Sequence, residues 1–308
     1  MAAPIVNRGN FTHSYGSAQL PVLKEIFVAA METYANYREK LGKVVPHDRD
    51  IYQGSELWGF NLLPSVAEGS EITFSAANQG ASKTLTVAKY ARGISWSEEF
   101  EEDGKMDLVG KMVQLLAKSA METQHVNFMD LFNNGFGTQT APDGVAIFSA
   151  SHTLPSGGTY SNIITGADLS ATSLEAALVA FETQFVDDGG VVQKYAPKVL
   201  LVAPQNRFIA YELLNSIGRA DTADNNINSF KQFGLEVVVS QHLTDTDSFY
   251  IMGDTSSHGL RIIERKPLVT MYAGSDWGYT NDSKAYKAKF REAYGAMSAQ
   301  AIIGSQGA

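Results

Sequence analysis

Apolar residues at Leu20, Leu23, Ile26, Phe27, Ala30, Tyr34 and Leu41 mark one face of a helix over 18–41. Pro21 suits its first turn and Gly42 its end. The stretch 43–64 shows neither the helical nor the strand period and is expected to be irregular. Over 70–96 the pattern changes, with two β-prone segments flanking Asn78-Gln79-Gly80, a hairpin turn signal. Its arms hold Ser, Thr and Lys with little apolar alternation, so it could not bury a face by itself.

A helix is expected over 107–132, about 39 Å long, its stripe drawn through Leu108, Met112, Leu115, Leu116, Ser119, Val126, Met129 and Phe132. Asn133-Asn134-Gly135 stop it. A second helix reads over 172–185, capped by Thr172 and Glu175, with Leu174, Leu178, Phe181 and Phe185 facing inward. From there "PKVLLVAP", "LEVVVSQ", "SFYIMGD" and "LRIIERKPLVTMY" read as strands and "QNRFIAYELLNS" as a helix, a compact α+β domain over 166–269. "AYKAKFREAYGAM" alternates Tyr286, Ala288, Phe290, Tyr294 and Ala296 with Lys287, Lys289 and Arg291, a half-buried strand. Glu292 interrupts its apolar side.

Charge narrows the partners. A formal charge of −9 over 308 residues disfavours broad nucleic-acid binding, which needs Lys and Arg to neutralise phosphates. It does suit a wall that encloses DNA without holding it. No apolar run is long enough for a membrane helix and no basic n-region opens the chain, so cytoplasmic synthesis and no membrane partner are expected. With no cysteine, disulfides, thiolate nucleophiles and thiolate zinc sites are excluded together. Acidic residues cluster at Glu98, Glu99, Glu101, Glu102, Asp103 and Asp107; basic ones cluster at Lys284, Lys287, Lys289 and Arg291. Such faces are either two solvated surfaces or complementary patches that set docking register between subunits.

Candidate chemistry is sparse. Nucleophile-elbow, phosphate-loop, dinucleotide and metalloprotease signatures are all missing, and no cofactor or metal is expected. "PDGVAIFSASHTLPSGG", residues 142–158, places Ser149, Ser151 and His152 at the end of an apolar segment. A hydrolase using one serine with His152 is one reading; a loop whose small hydroxyls satisfy backbone is the other. Asp245, Asp247 and Asp254 lack the spacing and closing glutamate of a calcium loop and read as a turn.

The order of the pieces carries more than any one motif. "ARGISWSEEFEEDGKMDLV", "DGVAIFSASHTLPSGGTYSN", "PKVLLVAPQNRFIAYELLNS", "LEVVVSQHLTDTDSFYIMGD" and "YKAKFREAYGA" follow one another as in the major capsid proteins of tailed bacteriophages. The chain resembles that family, whose fold is the Hong Kong 97 type, and its "DGVAIFSASH" phrase is similar to the head-subunit branch of Mu-like phages. The resemblance implies an N-terminal arm over 1–50, an extended β-hairpin loop over 51–96, and an axial domain over 166–269. It implies a peripheral domain over 97–165 and 270–308, with a spine helix at 107–132. A structural, non-enzymatic shell subunit is then expected, self-assembling through pentamers and hexamers into an icosahedral shell around double-stranded DNA. Its partners would be itself, a portal, a scaffolding protein or protease, and in some particles decoration proteins. Assembly would occur in the host cytoplasm and the product would be the virion. An encapsulin-like nanocompartment shell on the same fold is the alternative.

Candidate inter-subunit contacts are Lys83, Lys89 and Arg92 on the loop, Glu98, Glu99, Glu101 and Glu102, and Lys284, Lys287, Lys289 and Arg291. Some members of the family join a loop lysine covalently to an asparagine, with a glutamate as base. Lys83, taken to lie near the hairpin tip, and Asn281 match by position, while Glu292 is only the nearest acid, so a cross-link is not expected. Members often carry a scaffolding segment ahead of the arm; here the scaffold is either a separate protein or a removed segment.

Overall fold

The computed structural model describes residues 19–34, 36–59, 62–72, 74, 78–216, 228–278 and 280–308. Residues 1–18, the first part of the arm expected over 1–50, lie outside them. Along the chain run α1 (Gln19–Glu32), α2 (Arg38–Leu41), β1 (Lys43–Pro46), β2 (Ile51–Leu57), β3 (Gln79–Thr86) and β4 (Ala88–Ser97). Then come α3 (Glu98–Glu102), α4 (Met106–Asn133), β5 (His152–Thr153), β6 (Thr159–Tyr160), β7 (Ile163–Ile164) and α5 (Ala171–Thr183). The last are β8 (Val199–Val202), α6 (Arg207–Asn215), β9 (Glu236–Val239), β10 (Phe249–Met252), β11 (Leu260–Gly278), β12 (Ser283–Ala296) and β13 (Ile302–Ser305). Two compact units share these elements: one takes residues 1–36, 88–124 and 266–291, the other 37–87, 125–265 and 292–308.

In the first unit, β11, β12 and β4 are neighbours in that order. Trp96, Tyr286 and Ala288 on this sheet pack with Leu23 and Phe27 of α1 and Val109, Val113, Leu116 and Ala117 of α4. Leu116, Met129 and Phe132 of the expected α4 stripe are buried, but Leu108, Leu115 and Val126 are 47%, 66% and 50% exposed, and Val109 and Val113 take the buried row at the start of the helix instead. Apolar residues lie on adjacent rows of this helix, and only the packing partner selects between them. The helix expected over 18–41 ends at Glu32, and a separate short helix, α2, follows.

The second unit is built on a five-stranded sheet ordered β7-β13-β10-β8-β9. Strands β8, β10 and β13 are buried along their whole length, as expected where both faces are covered. Alternate side chains divide between two cores. Leu200, Val202, Phe249, Ile251 and Ile303 meet Leu174, Leu178 and Phe181 of α5. Leu201, Tyr250, Met252 and Ile302 meet Phe128, Met129 and Phe132 at the end of α4. The α5 face matches expectation, but its cap is Ser170, which exchanges hydrogen bonds with Ser173, two residues before the expected Thr172. Strand β13, in the segment expected to be peripheral, pairs antiparallel with β10 inside this sheet.

The hairpin differs from expectation in its partner. Strand β3 pairs antiparallel with β2, from Ile51↔Thr86 to Leu57↔Gln79, so Asn78-Gln79-Gly80 opens an arm and is not the turn. Residues 43–64, expected to be irregular, supply both β1 and β2. Parallel pairing of β1 with the first residues of β11, Lys43↔Arg261 through Pro46↔Glu264, explains why no local signal announced it.

Candidate functional site

The 140–162 connection holds a buried polar cluster under the β2–β3 hairpin. Asn162, fully buried, donates from Nδ2 to the carbonyl oxygens of Ile147 (2.8 Å) and Ala299 (3.2 Å). Its Oδ1 is thereby turned toward the backbone N–H of Ser149 (2.8 Å) and His152 Nε2 (3.2 Å), from which it accepts. On its other side the imidazole donates from Nδ1 to Asp143 Oδ2 at 2.8 Å. Its face stacks on Tyr160, ring centroids 5.1 Å apart. Both ring nitrogens of His152 thus lie within hydrogen-bonding distance of oxygens of the connection.

That arrangement removes the basis for a nucleophile–base pair. Ser149 Oγ accepts from the N–H of Ser151, and the imidazole faces a carboxylate, an amide and a carbonyl. The Gly-rich turn that follows is held the same way: Ser156 donates from N and Oγ to Asp188. Asp188 in turn accepts from Asn78 at the start of the β3 arm. The loop reading of 142–158 is the one the contacts support.

Two ionisable side chains of the hairpin reach this cluster. Lys83 lies in the middle of β3 opposite Gly54, not at a tip, and donates to the carbonyl oxygen of Thr140. Burial pulls its pKa below the ordinary lysine value, with the nearby Asp143 charge opposing. Glu56 of β2 is pushed up from 4.5 to about 7 by burial, with Asp143 adding, against a hydrogen bond from Ser298 and the charge of His152. Burial also tends to raise Asp143, but the hydrogen bond and charge of His152 and the N–H groups of Val145 and Thr153 hold it below the ordinary value. Glu56 also lines a cleft of about 280 Å³ with Tyr52, Trp58, His258 and Arg261.

Glu292, which interrupted the apolar side of its strand, has a partner: its carboxylate takes Arg38 Nη1 at 2.9 Å, both side chains buried, and also accepts from Tyr294 Oη. Neither Glu292 nor Lys83 occupies the setting that the cross-link correspondence assumed. Asn281 sits in the tight turn between β11 and β12, next to Asp282, whose φ of 42° falls in the left-handed region an aspartate tolerates.

Of the candidate inter-subunit charges, three meet inside one chain. Lys284, 7% exposed, reaches Glu101 Oε2 at 2.9 Å and Glu98 Oε1 at 3.6 Å. Burial alone would lower the Lys284 pKa, but the Glu101 contact raises it above the ordinary value. Alternation does distinguish Lys284, which is in phase with the buried Tyr286 and Ala288, from Lys287 and Lys289, which fall on the opposite face of β12. Lys89, Arg92, Glu99, Glu102 and Lys287 remain exposed, and Lys289 and Arg291 half-buried.

A five-stranded mixed sheet with helices on both faces, a long helix, a second β-sheet unit and an extended hairpin define a Hong Kong 97-type capsid fold. Solved structures agree at the level of fold. The capsid of cyanophage P-SCSP1u has a TM-score of 0.58 at 14% identity, covering 89% of this chain and 88% of that one. The procapsid of bacteriophage JBD30 has a TM-score of 0.55 at 14% identity, covering 96% and 76%. A virus-like particle from Pyrococcus furiosus gives 0.52 at 11% identity, covering 93% and 99%. Residues 80–303 match the sequence profile of the phage capsid protein family, and the chain belongs to that family. No curated protein matches the sequence. The protein is a capsid shell protein of a phage virion.

Proposed function

We propose that the chain is the major head subunit of a tailed phage or prophage. It assembles through pentamers and hexamers into an icosahedral shell around double-stranded DNA. Its role is structural rather than catalytic. A portal, a scaffolding protein or protease, and decoration proteins are its expected partners, with assembly in the host cytoplasm. The "DGVAIFSASH" phrase supports a place near the Mu-like branch, and the phage capsid profile favours a virus over a nanocompartment. We assign the extended loop to the β2–β3 hairpin, the peripheral role to the unit holding α3 and most of β12, and the axial role to the five-stranded sheet.

One observation carries this reading. Between β2 and β3, Leu62, Leu63, Ile72 and Phe74 are 78%, 94%, 70% and 95% exposed. Large apolar side chains gathered on one connection mark a surface that a partner covers, and in a closed shell the partner is another copy of the same chain. Negative-stain electron microscopy of the purified protein, with and without a candidate scaffold, tests it. Closed shells or isolated five- and six-membered rings are expected. A uniform small particle under every condition would overturn the reading.

A further inference from the structure

The outer face of the β4–β12 ladder is the feature the fold itself leaves unexplained. Glu98 N donates to Asp282 O, Gly93 lies against Lys287, and Tyr90 stacks on Phe290 at 5.0 Å. These contacts advance along β12 as they retreat along β4, so the strands are antiparallel and Lys89 stands opposite Arg291. Side chains alternate across a strand. Tyr90, Ile94 and Trp96 with Tyr286, Ala288 and Phe290 therefore take the inner face, and Lys89, Lys287, Lys289 and Arg291 share the outer one.

Among the described residues of β4 and β12, no acid shares this face with the four cations. Their β4 neighbours on that face are Ala91, Gly93 and Ser95, all exposed and too small to cover the ladder. Arg291 keeps its Nε buried with no acceptor among the described residues. Elsewhere in the same unit, α3 and the turn after it present Glu99, Glu102 and Asp103, all exposed, followed by exposed Asp107. Among the described residues, Asp103 alone of these has an ion-pair partner, Lys105 at 3.0 Å.

We propose that the basic face of the β4–β12 ladder docks onto the acidic α3 surface of a second copy of this chain. Two different, complementary patches on one chain make a head-to-tail contact, the kind that closes into rings. The small residues of β4 let the partner's helix approach the ladder closely. Opposite charge across the contact fixes its register and speeds encounter. Lys284, Glu98 and Glu101 serve instead to hold α3 against its own β12. The proposal rests on the shell reading above and names the surfaces through which the copies meet.

Charge reversal tests it, with assembly of the parent chain as the control. Lys287→Glu/Lys289→Glu and, separately, Glu99→Lys/Glu102→Lys should each cut the yield of rings and shells at least tenfold while the unassembled subunit keeps the parent's circular dichroism and unfolding midpoint. All four changes in one chain should restore assembly. Mixing the two double variants should give six-membered rings without five-membered ones, because only alternating copies then match. Lys89→Glu provides a second, independent reversal of the basic face, and parent assembly through this contact should weaken as salt rises. Parent-like assembly of both double variants, or failure of the fourfold swap to rescue folded subunits, would overturn the proposal. Normal shells of the Lys287→Glu/Lys289→Glu variant that retain less DNA would also overturn it and assign the face to nucleic acid. Failure of the parent itself to assemble would overturn the shell reading together with this one.

Discussion

Replacing Glu56 with glutamine separates its ionisation from its packing. The carboxyl has a pKa of about 7 in the folded chain against an ordinary 4.5. The folded state therefore prefers the protonated form. Below pH 4.5 the group is protonated in both folded and unfolded chains and contributes no pH dependence. As pH rises through the interval up to about 7 the unfolded chain ionises first and folding loses free energy; above 7 the loss is complete. At ~1.36 kcal/mol per pH unit the full displacement corresponds to about 3 kcal/mol, which solvent screening at this partly exposed side chain reduces to about 2. Glutamine mimics the protonated carboxyl in shape but cannot ionise. Urea unfolding of the unassembled subunit should show Glu56→Gln about 2 kcal/mol more stable than the parent at pH 8, with the difference vanishing near pH 4.5. A Glu56→Gln chain less stable than the parent at pH 8, or a difference that does not change with pH, would refute the reasoning.

Other perturbations probe the remaining buried polar groups and the exposed connection. Glu292→Gln or Arg38→Met leaves one buried charge without its counter-charge and should cost about 3–5 kcal/mol in urea unfolding, and the Arg38→Met/Glu292→Leu pair should cost less than the two changes summed. His152→Ala strands Asp143 and Asn162 Oδ1, a loss of about 2–3 kcal/mol; amide exchange over 147–162 should accelerate, and unchanged protection would show that the ring does not hold this connection. A methyl at Gly259 would lie 2.0 Å from the backbone N of Ser298, so Gly259→Ala should destabilise the chain by about 3 kcal/mol or more. Leu63→Ser/Phe74→Ser removes apolar surface that is almost wholly exposed in the subunit and should shift its stability by less than about 0.5 kcal/mol, while abolishing assembly seen by electron microscopy.

Local physics was legible in the order of residues. The α5 face, the all-apolar segments of β8 and β10, and the alternation of β12 each depend on a period set by backbone geometry, so a window of about ten residues contains the whole signal. The resemblance carried by successive motifs located the fold, since it depends on order along the chain. Only tertiary structure decided the rest. Strand β3 takes β2 as its partner, not the residues just before it, because backbone hydrogen bonding rewards any edge that topology brings near. Apolar rows of α4 were ambiguous until α1 and the β-sheet chose one. Glu292 read as a break in a pattern because its partner, Arg38, lies 254 positions away. His152 was open to two readings because its carboxylate and amide partners become visible only when the connection folds back on itself. A charged or polar side chain takes its role from what neutralises it, and that neighbour is a property of the fold.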